Sequence, residues 1–189
     1  MKETITQILK KYDTDKEVFH RYGQTYETIF SRFNREDKLN ILEIGTQQGG
    51  SLLAWKEYFP NANVVGIDII DVVPDKYRLD TVTRVISDIK EWRDDTQWDI
   101  VIDDGSHYLL DIAYVVPNYC MKLKVGGVIV IEDVRAPRLI LNVIENLLSD
   151  ISLIFPEVRH DNLIDVKYYD TSGPGAEGSI IIAMFKEPL

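Results

Sequence analysis

Five consecutive residues, Asp103-Asp104-Gly105-Ser106-His107, are followed 25 positions after the histidine by Glu132-Asp133. Each cluster closes a short apolar, β-branched run, the pattern of a buried strand. If the two strands are neighbours, four carboxylates and an imidazole meet at one end of a sheet, and that is the composition of a metal-assisted active site. Hard carboxylate oxygens, with no paired cysteine or histidine ligands, favour magnesium, manganese or calcium over zinc.

The elements that must position these groups follow from the alternation of β-branched runs with helical patterns after residue 39, which signals crossover units and a mostly parallel sheet. Strands are expected at Asn40 to Gly45, Asn63 to Ile69, Thr83 to Ser87, Trp98 to Asp103 and Gly127 to Ile131. Helices are expected over Gly50 to Phe59, Asp75 to Asp80, Tyr108 to Lys122 and Pro137 to Leu148. Val166 to Tyr169 and Ser179 to Phe185 close the sheet as an antiparallel pair, joined by a loop rich in turn residues from Thr171 to Gly175.

Ahead of the sheet, Phe19, Tyr22, Tyr26, Phe30 and Phe33 recur at steps of three or four, one face of a helical segment that Gly23 splits in two. Thr14 and Glu17 have capping-box spacing. Residues 1–36 read as a helical lid or cover and 37–189 as a Rossmann-like core, together one domain.

The first strand runs into Glu43-Ile44-Gly45-Thr46-Gln47-Gln48-Gly49-Gly50-Ser51, a glycine-bearing turn that opens a helix. Glycines there let backbone approach a ligand, and the helix amino end presents free N–H groups. Asp68 ends the second strand 19 residues after Gly49, about where an acid takes the ribose hydroxyls of an adenosine cofactor. Dinucleotide reductases more often carry three glycines in this turn, and here Gln47 holds the middle position.

An acid before the glycine turn and another at the end of the next strand resemble the first two motifs of class I S-adenosylmethionine-dependent methyltransferases. A narrower resemblance rests on Thr14-Asp15-Lys16, His20, Tyr22, Tyr26, the Gly49-Gly50-Ser51 turn, Trp55, Phe59-Pro60, Asp103 to His107, and Gly126-Gly127 leading to Glu132-Asp133. This set is similar to the macrocin and mycinamicin type of metal-dependent sugar O-methyltransferase over about residues 12 to 135, and little matches beyond.

That resemblance implies a three-layer α/β fold with a seven-stranded, mostly parallel sheet and a final antiparallel strand. It implies Asp104, Glu132 and Asp133 as ligands of Mg2+ or another hard cation such as Mn2+, and His107, beside Asp104, as general base. S-adenosylmethionine, leaving as S-adenosylhomocysteine, would be bound by Glu43, Gly45, Thr46, Gln47, Gly49, Ser51, Asp68 and Ile69, with Asp88 and Ile89 near the adenine. Asp103 points to the opposite strand face from Asp104, where it can contact cofactor. His20, Tyr22 and Tyr26 would wall the acceptor site, and Arg135, Arg138, Arg159, His160 and Asp161 border it.

The implied reaction is in-line transfer of a methyl group to a sugar hydroxyl, such as one on a deoxyhexose like rhamnose in a glycan or glycosylated metabolite. The alternatives are a non-sugar acceptor such as a phenol, and a catalytically silent cofactor-binding module. A formal net charge of -10 repels polyphosphate and anionic lipid, so neither nucleic acid nor membrane is an expected partner. No signal-type or membrane-spanning apolar run is evident, so a soluble cytoplasmic protein is expected. Cys120 is the single cysteine, which excludes an intrachain disulfide and reads as an idle buried thiol. A homo-oligomer is expected if closing the acceptor cleft takes a second subunit.

Overall fold

The structure is a computed structural model, and it describes residues 2–12, 14–154, 162–171 and 180–188. Seven strands form one sheet: β1 (Asn40–Ile44), β2 (Asn63–Asp68), β3 (Thr83–Ile86), β4 (Trp98–Asp103), β5 (Leu123–Ile131), β6 (Asn162–Asp170) and β7 (Ile180–Pro188), in the order β3-β2-β1-β4-β5-β7-β6. The first five are parallel, and β7 runs antiparallel to both β5 and β6. Arg159, His160, Asp161 and the loop around Gly173 to Gly175 lie outside the described residues.

Helices cover both faces, as a parallel sheet requires because its strands are apolar on both sides. On one face α1 (Ile5–Lys11), α3 (Gly23–Phe30) and α4 (Gly50–Tyr58) bury Ile8, Tyr26, Phe30 and Trp55 against Ile41, Ile100 and Val130. On the other, α5 (Leu109–Lys122) and α6 (Pro137–Ile154) pack Val116, Cys120 and Ile144 against Leu42, Val101 and Ile129. Among the described residues no helix is long and apolar enough to cross a membrane.

The parallel register brings strand tips level. Ile44 pairs with Ile67 on one side and Asp103 on the other, and Asp103 pairs with Ile131. The next residue on each strand is therefore Asp68, Gly45, Asp104 or Glu132, in one row along the carboxyl edge. Between β1 and β4 the chain reverses its direction of winding, and ligands of open α/β sheets bind outside that switch point.

Two expectations about the amino-terminal segment need correcting. Thr14 does precede the short helix α2 (Asp15–Val18), but its side chain makes no cap bond; Glu17 instead accepts the Gly23 amide at 3.0 Å. The capping box lies at Thr4 and Gln7, at the start of α1. The aromatic stripe is also incomplete: Tyr22, Tyr26 and Phe30 are buried, while Phe19 is 54% exposed.

Candidate active site

A cavity of about 650 Å3 opens above the row of strand tips. Its floor is the β1–α4 turn. Gly45 and Gly49 both have φ +79°, and a Cβ on Gly45 would stand 2.1 Å from the Asp104 carbonyl oxygen. Only glycine permits that approach of two backbones. Gln47 also takes a left-handed conformation, with φ +44°. Its amide and that of Thr46 each donate to Asp68 Oδ2 at 2.8 Å, and a two-pronged carboxylate anchor of this kind offsets the strain of a non-glycine residue there.

Asp68, Ile69, Asp88 and Ile89 line the cavity beyond this turn. Asp68 Oδ1 accepts the Ile70 amide at 3.1 Å, and Asp88 caps the following turn through the Lys90 amide at 2.8 Å. Glu43 does not reach the cavity. It is fully buried beneath the turn, where its Oε2 accepts Ser51 Oγ at 2.8 Å and Trp55 Nε1 at 3.0 Å. Burial raises its carboxyl above the ordinary range, and Lys16 opposes that shift.

Strand alternation sends Asp104 and Asp103 apart. Asp103 is 6% exposed at the cavity wall, and burial pushes its carboxyl up to about 7. Asp104 faces a second cluster, where Asp104, His107 and Asp133 each place a ligand atom within 4.8 Å of the others. His107 Nε2 lies 4.0 Å from Asp104 Oδ1 and 3.8 Å from Asp133 Oδ2. Both His107 (φ +59°) and Asp133 (φ +52°) hold left-handed backbone, a strain that surrounding structure must maintain and that concentrates at functional sites.

Glu132 stands directly behind this cluster. Its Oε2 accepts Lys16 Nζ at 2.8 Å, and its Oε1 accepts the Tyr26 hydroxyl. The expected acidic trio is thus divided: Asp104 and Asp133 face the cavity, while both oxygens of Glu132 are engaged below it. Lys16, from α2, is 2% exposed and also meets Asp104 Oδ2 at 2.5 Å and Glu43 at 3.2 Å. Burial alone would lower its pKa, but the carboxylates of Asp104, Glu132 and Glu43 outweigh that and hold it well above the usual value. The same ammonium touches Asp104 and Glu132, so these acids from adjoining strands share one cation within the fold.

None of the expected wall residues His20, Tyr22 and Tyr26 lines the cavity; the amino-terminal residues that do are Tyr12, Thr14, Asp15, Lys16 and Phe19. Tyr22 donates to Asp133 at 2.5 Å, and His20 stacks on Tyr22 with its Nδ1 3.8 Å from Asp133. Tyr26 lies under the site rather than in its wall, fully buried against Trp55. Arg135 and Arg138 are exposed. Lys16 is the site residue that residue-by-residue reading misses. Its signal, a lysine between two acids in a short polar helix, is that of an ordinary hydrated side chain.

No family model matches the chain. Over 137 residues, 66% of its length, it is 34% identical to the 8-demethyl-8-alpha-L-rhamnosyl tetracenomycin-C 2'-O-methyltransferase of Streptomyces olivaceus. Over 146 residues, 70% of its length, it is 32% identical to the mycinamicin VI 2''-O-methyltransferase of Micromonospora griseorubida. The chain is a relative of the macrocin and mycinamicin type of sugar O-methyltransferase. It spans 36% of the length of each of these two proteins. Among solved structures, the MycE methyltransferase in complex with Mg and SAH superposes over 100% of this chain and 56% of its own, with TM-score 0.73 at 23% identity. The shared architecture is the class I methyltransferase fold, with β7 as its reversed strand.

Proposed function

We propose that the chain carries the catalytic core of an S-adenosylmethionine-dependent, divalent-metal-assisted O-methyltransferase whose acceptor is a sugar hydroxyl. The observation that carries this reading is the convergence of Asp104, His107 and Asp133 at the edge of the cavity. Beside them lies a glycine turn that a single Cβ would obstruct. The donor set fits a hard cation, with Asp104 and Asp133 facing it and Glu132 placed behind. The cavity fits a nucleoside cofactor, with Asp68 at the ribose position and Asp88 and Ile89 at its far end.

When bound, the cofactor supplies an electrophilic methyl group and the cation withdraws charge from the acceptor oxygen. The protein's own groups do the rest. His107 takes the hydroxyl proton at its imidazole as the oxygen attacks, and Asp104 and Asp133 keep that ring oriented. The Gly45–Gly49 turn holds the donor in line with the acceptor, and positioning of this kind can lower a barrier by several kcal/mol. Tyr22, bonded to Asp133, fixes the second carboxylate.

A sugar acceptor is favoured by the rhamnosyl and mycinamicin substrates in the relatives' names; that the sugar is a deoxyhexose is part of the same proposal. The expected setting is cytoplasmic, without nucleic-acid or membrane partners. The test is methyl transfer to a panel of glycosides and phenols, with and without EDTA. Glycoside methylation that EDTA abolishes and Mg2+ or Mn2+ restores is the expected result; turnover of phenols alone, or transfer indifferent to EDTA, overturns it.

A further inference from the structure

Behind the cavity-facing cluster, three carboxylate oxygens from three adjacent strands surround one spot: Glu43 Oε1 from β1, Asp104 Oδ2 just past β4 and Glu132 Oε2 just past β5. Lys16 Nζ occupies it, 3.2, 2.5 and 2.8 Å from them. The lysine comes from α2, is buried, and lines the cavity, so its removal would open the spot to solvent.

Hydrogen bonding does not complete this trio. Asp104 Oδ2 and Glu132 Oε2 accept from the ammonium, but Glu43 Oε1 is buried with no hydrogen bond even though the same nitrogen stands 3.2 Å away. An ammonium offers its three donors in fixed directions, and a buried oxygen left out of them is rare in folded proteins. A spherical cation has no preferred direction and would serve all three oxygens. The spot is thus shaped by charge more than by donor geometry. Asp104 also ties it to the cavity-facing cluster, because its Oδ1 lies on the side of His107 while its Oδ2 meets the lysine. Two-metal centres hold their ions about 3.5–4 Å apart, a spacing that one carboxylate spans with its two oxygens.

We propose that Lys16 fills the inner position of a carboxylate cluster laid out for two cations, and so limits the centre to one divalent ion at Asp104, His107 and Asp133. This rests on the metal reading above and adds what sets the number of ions. Lys16 is a positioning residue: its fixed charge orients Asp104 and keeps Glu43 and Glu132 Oε2 from a metal. The chemistry agrees, since a two-metal clamp serves an attacking and a leaving oxygen together. Methyl transfer from a sulfonium has only the attacking oxygen to activate.

Mn2+ titration of the full chain, followed by paramagnetic resonance and thermal melting, tests it. The wild type should take one Mn2+ per chain and give the signal of an isolated ion. Lys16→Ser removes the ammonium and vacates its space, so this variant should take two and give the broadened signal of a spin-coupled pair. Ions that bind only the native state stabilise it, so Mn2+ should raise the melting temperature of Lys16→Ser more than that of the wild type. A purely structural lysine would leave a weakened chain with one ion and no such extra gain. Lys16→Arg keeps the charge and should still take one. A single Mn2+ in Lys16→Ser, a Lys16→Ser chain that no Mn2+ concentration stabilises, or two ions in the wild type or in Lys16→Arg would overturn the proposal. A wild type that binds no Mn2+ would instead overturn the metal reading itself.

Discussion

Asp104 faces two ways: its Oδ2 meets the buried ammonium of Lys16 at 2.5 Å, and its Oδ1 lies 4.0 Å from His107 Nε2. One acid thus connects the interior counterion of α2 with the cavity-facing cluster, and the amino-terminal segment is tied to the tips of β1, β4 and β5 through a single nitrogen.

Removing that nitrogen should be costly. Lys16→Met leaves Glu43, Asp104 and Glu132 buried around no positive charge, and breaking a buried ion network from one side typically costs about 3–5 kcal/mol. Urea unfolding should show a loss of that order, with Lys16→Arg recovering part of it. A loss below about 1 kcal/mol, the scale of a surface pair, would mean that solvent reaches the cluster.

His107→Ala removes the proposed base without touching the cofactor turn. Turnover on a glycoside acceptor should fall by about 100- to 10,000-fold, the usual contribution of general base catalysis. Binding of S-adenosylhomocysteine, followed by calorimetry, should be unchanged. Full activity in this variant would remove His107 from the reaction.

The strand pattern was readable because alternating and continuous apolar runs report burial directly. Trp98 to Asp103 has the same limits in sequence and structure, and the strands before it differ by a residue at most. β5 starts at Leu123, four residues before the expected Gly127, because the register shifts between Trp98 and Ile100 and lets the chain rejoin the sheet ahead of Gly126-Gly127. Helix α1 is not legible in the sequence although Ile5, Ile8 and Leu9 have helical spacing, since seven residues are too few for periodicity to stand out. The site divides along a similar line. Asp104 and His107 are three positions apart and could be paired by eye, whereas Lys16 acts 88 positions from Asp104 and 116 from Glu132. A contact of that span is set by how α2 lies across the strand tips, and no local pattern encodes it.

Gly45→Ala separates close approach from backbone conformation. The added methyl meets the Asp104 carbonyl oxygen at 2.1 Å as well as demanding φ +79°, whereas Gly126, at φ +85°, has nothing within 4 Å. Gly126→Ala should cost about 1–2 kcal/mol from the left-handed conformation alone. Gly45→Ala should cost more and also weaken S-adenosylhomocysteine, as thermal melting and calorimetry on both variants would reveal. Equal stabilities and intact ligand binding would show that β1 and β4 part easily at their tips.

Cys120 should be inert in the folded protein. Burial pushes its thiol up to about 12, so almost none is thiolate at neutral pH, and the thiolate is the reactive form. Iodoacetamide should label it only after denaturation; rapid labelling of the native chain would show that α5 opens from the sheet.

The division of the acids around the proposed cation site can be tested by changing charge at constant shape. Asp133 already occupies left-handed backbone at φ +52°, a conformation that asparagine tolerates as well as aspartate, so Asp133→Asn alters the carboxylate and little else. It should weaken Mn2+ binding, measured by paramagnetic resonance, with a smaller loss of stability than Glu132→Gln, because only the Tyr22 hydroxyl loses a charged acceptor. Glu132→Gln should do the reverse: Lys16 and Tyr26 each lose a charged acceptor, so stability falls by about 1–3 kcal/mol while much of the Mn2+ affinity remains. If Glu132→Gln instead abolishes Mn2+ binding, then Glu132 contacts the metal directly, and Lys16 must release its Oε2 when the cation arrives.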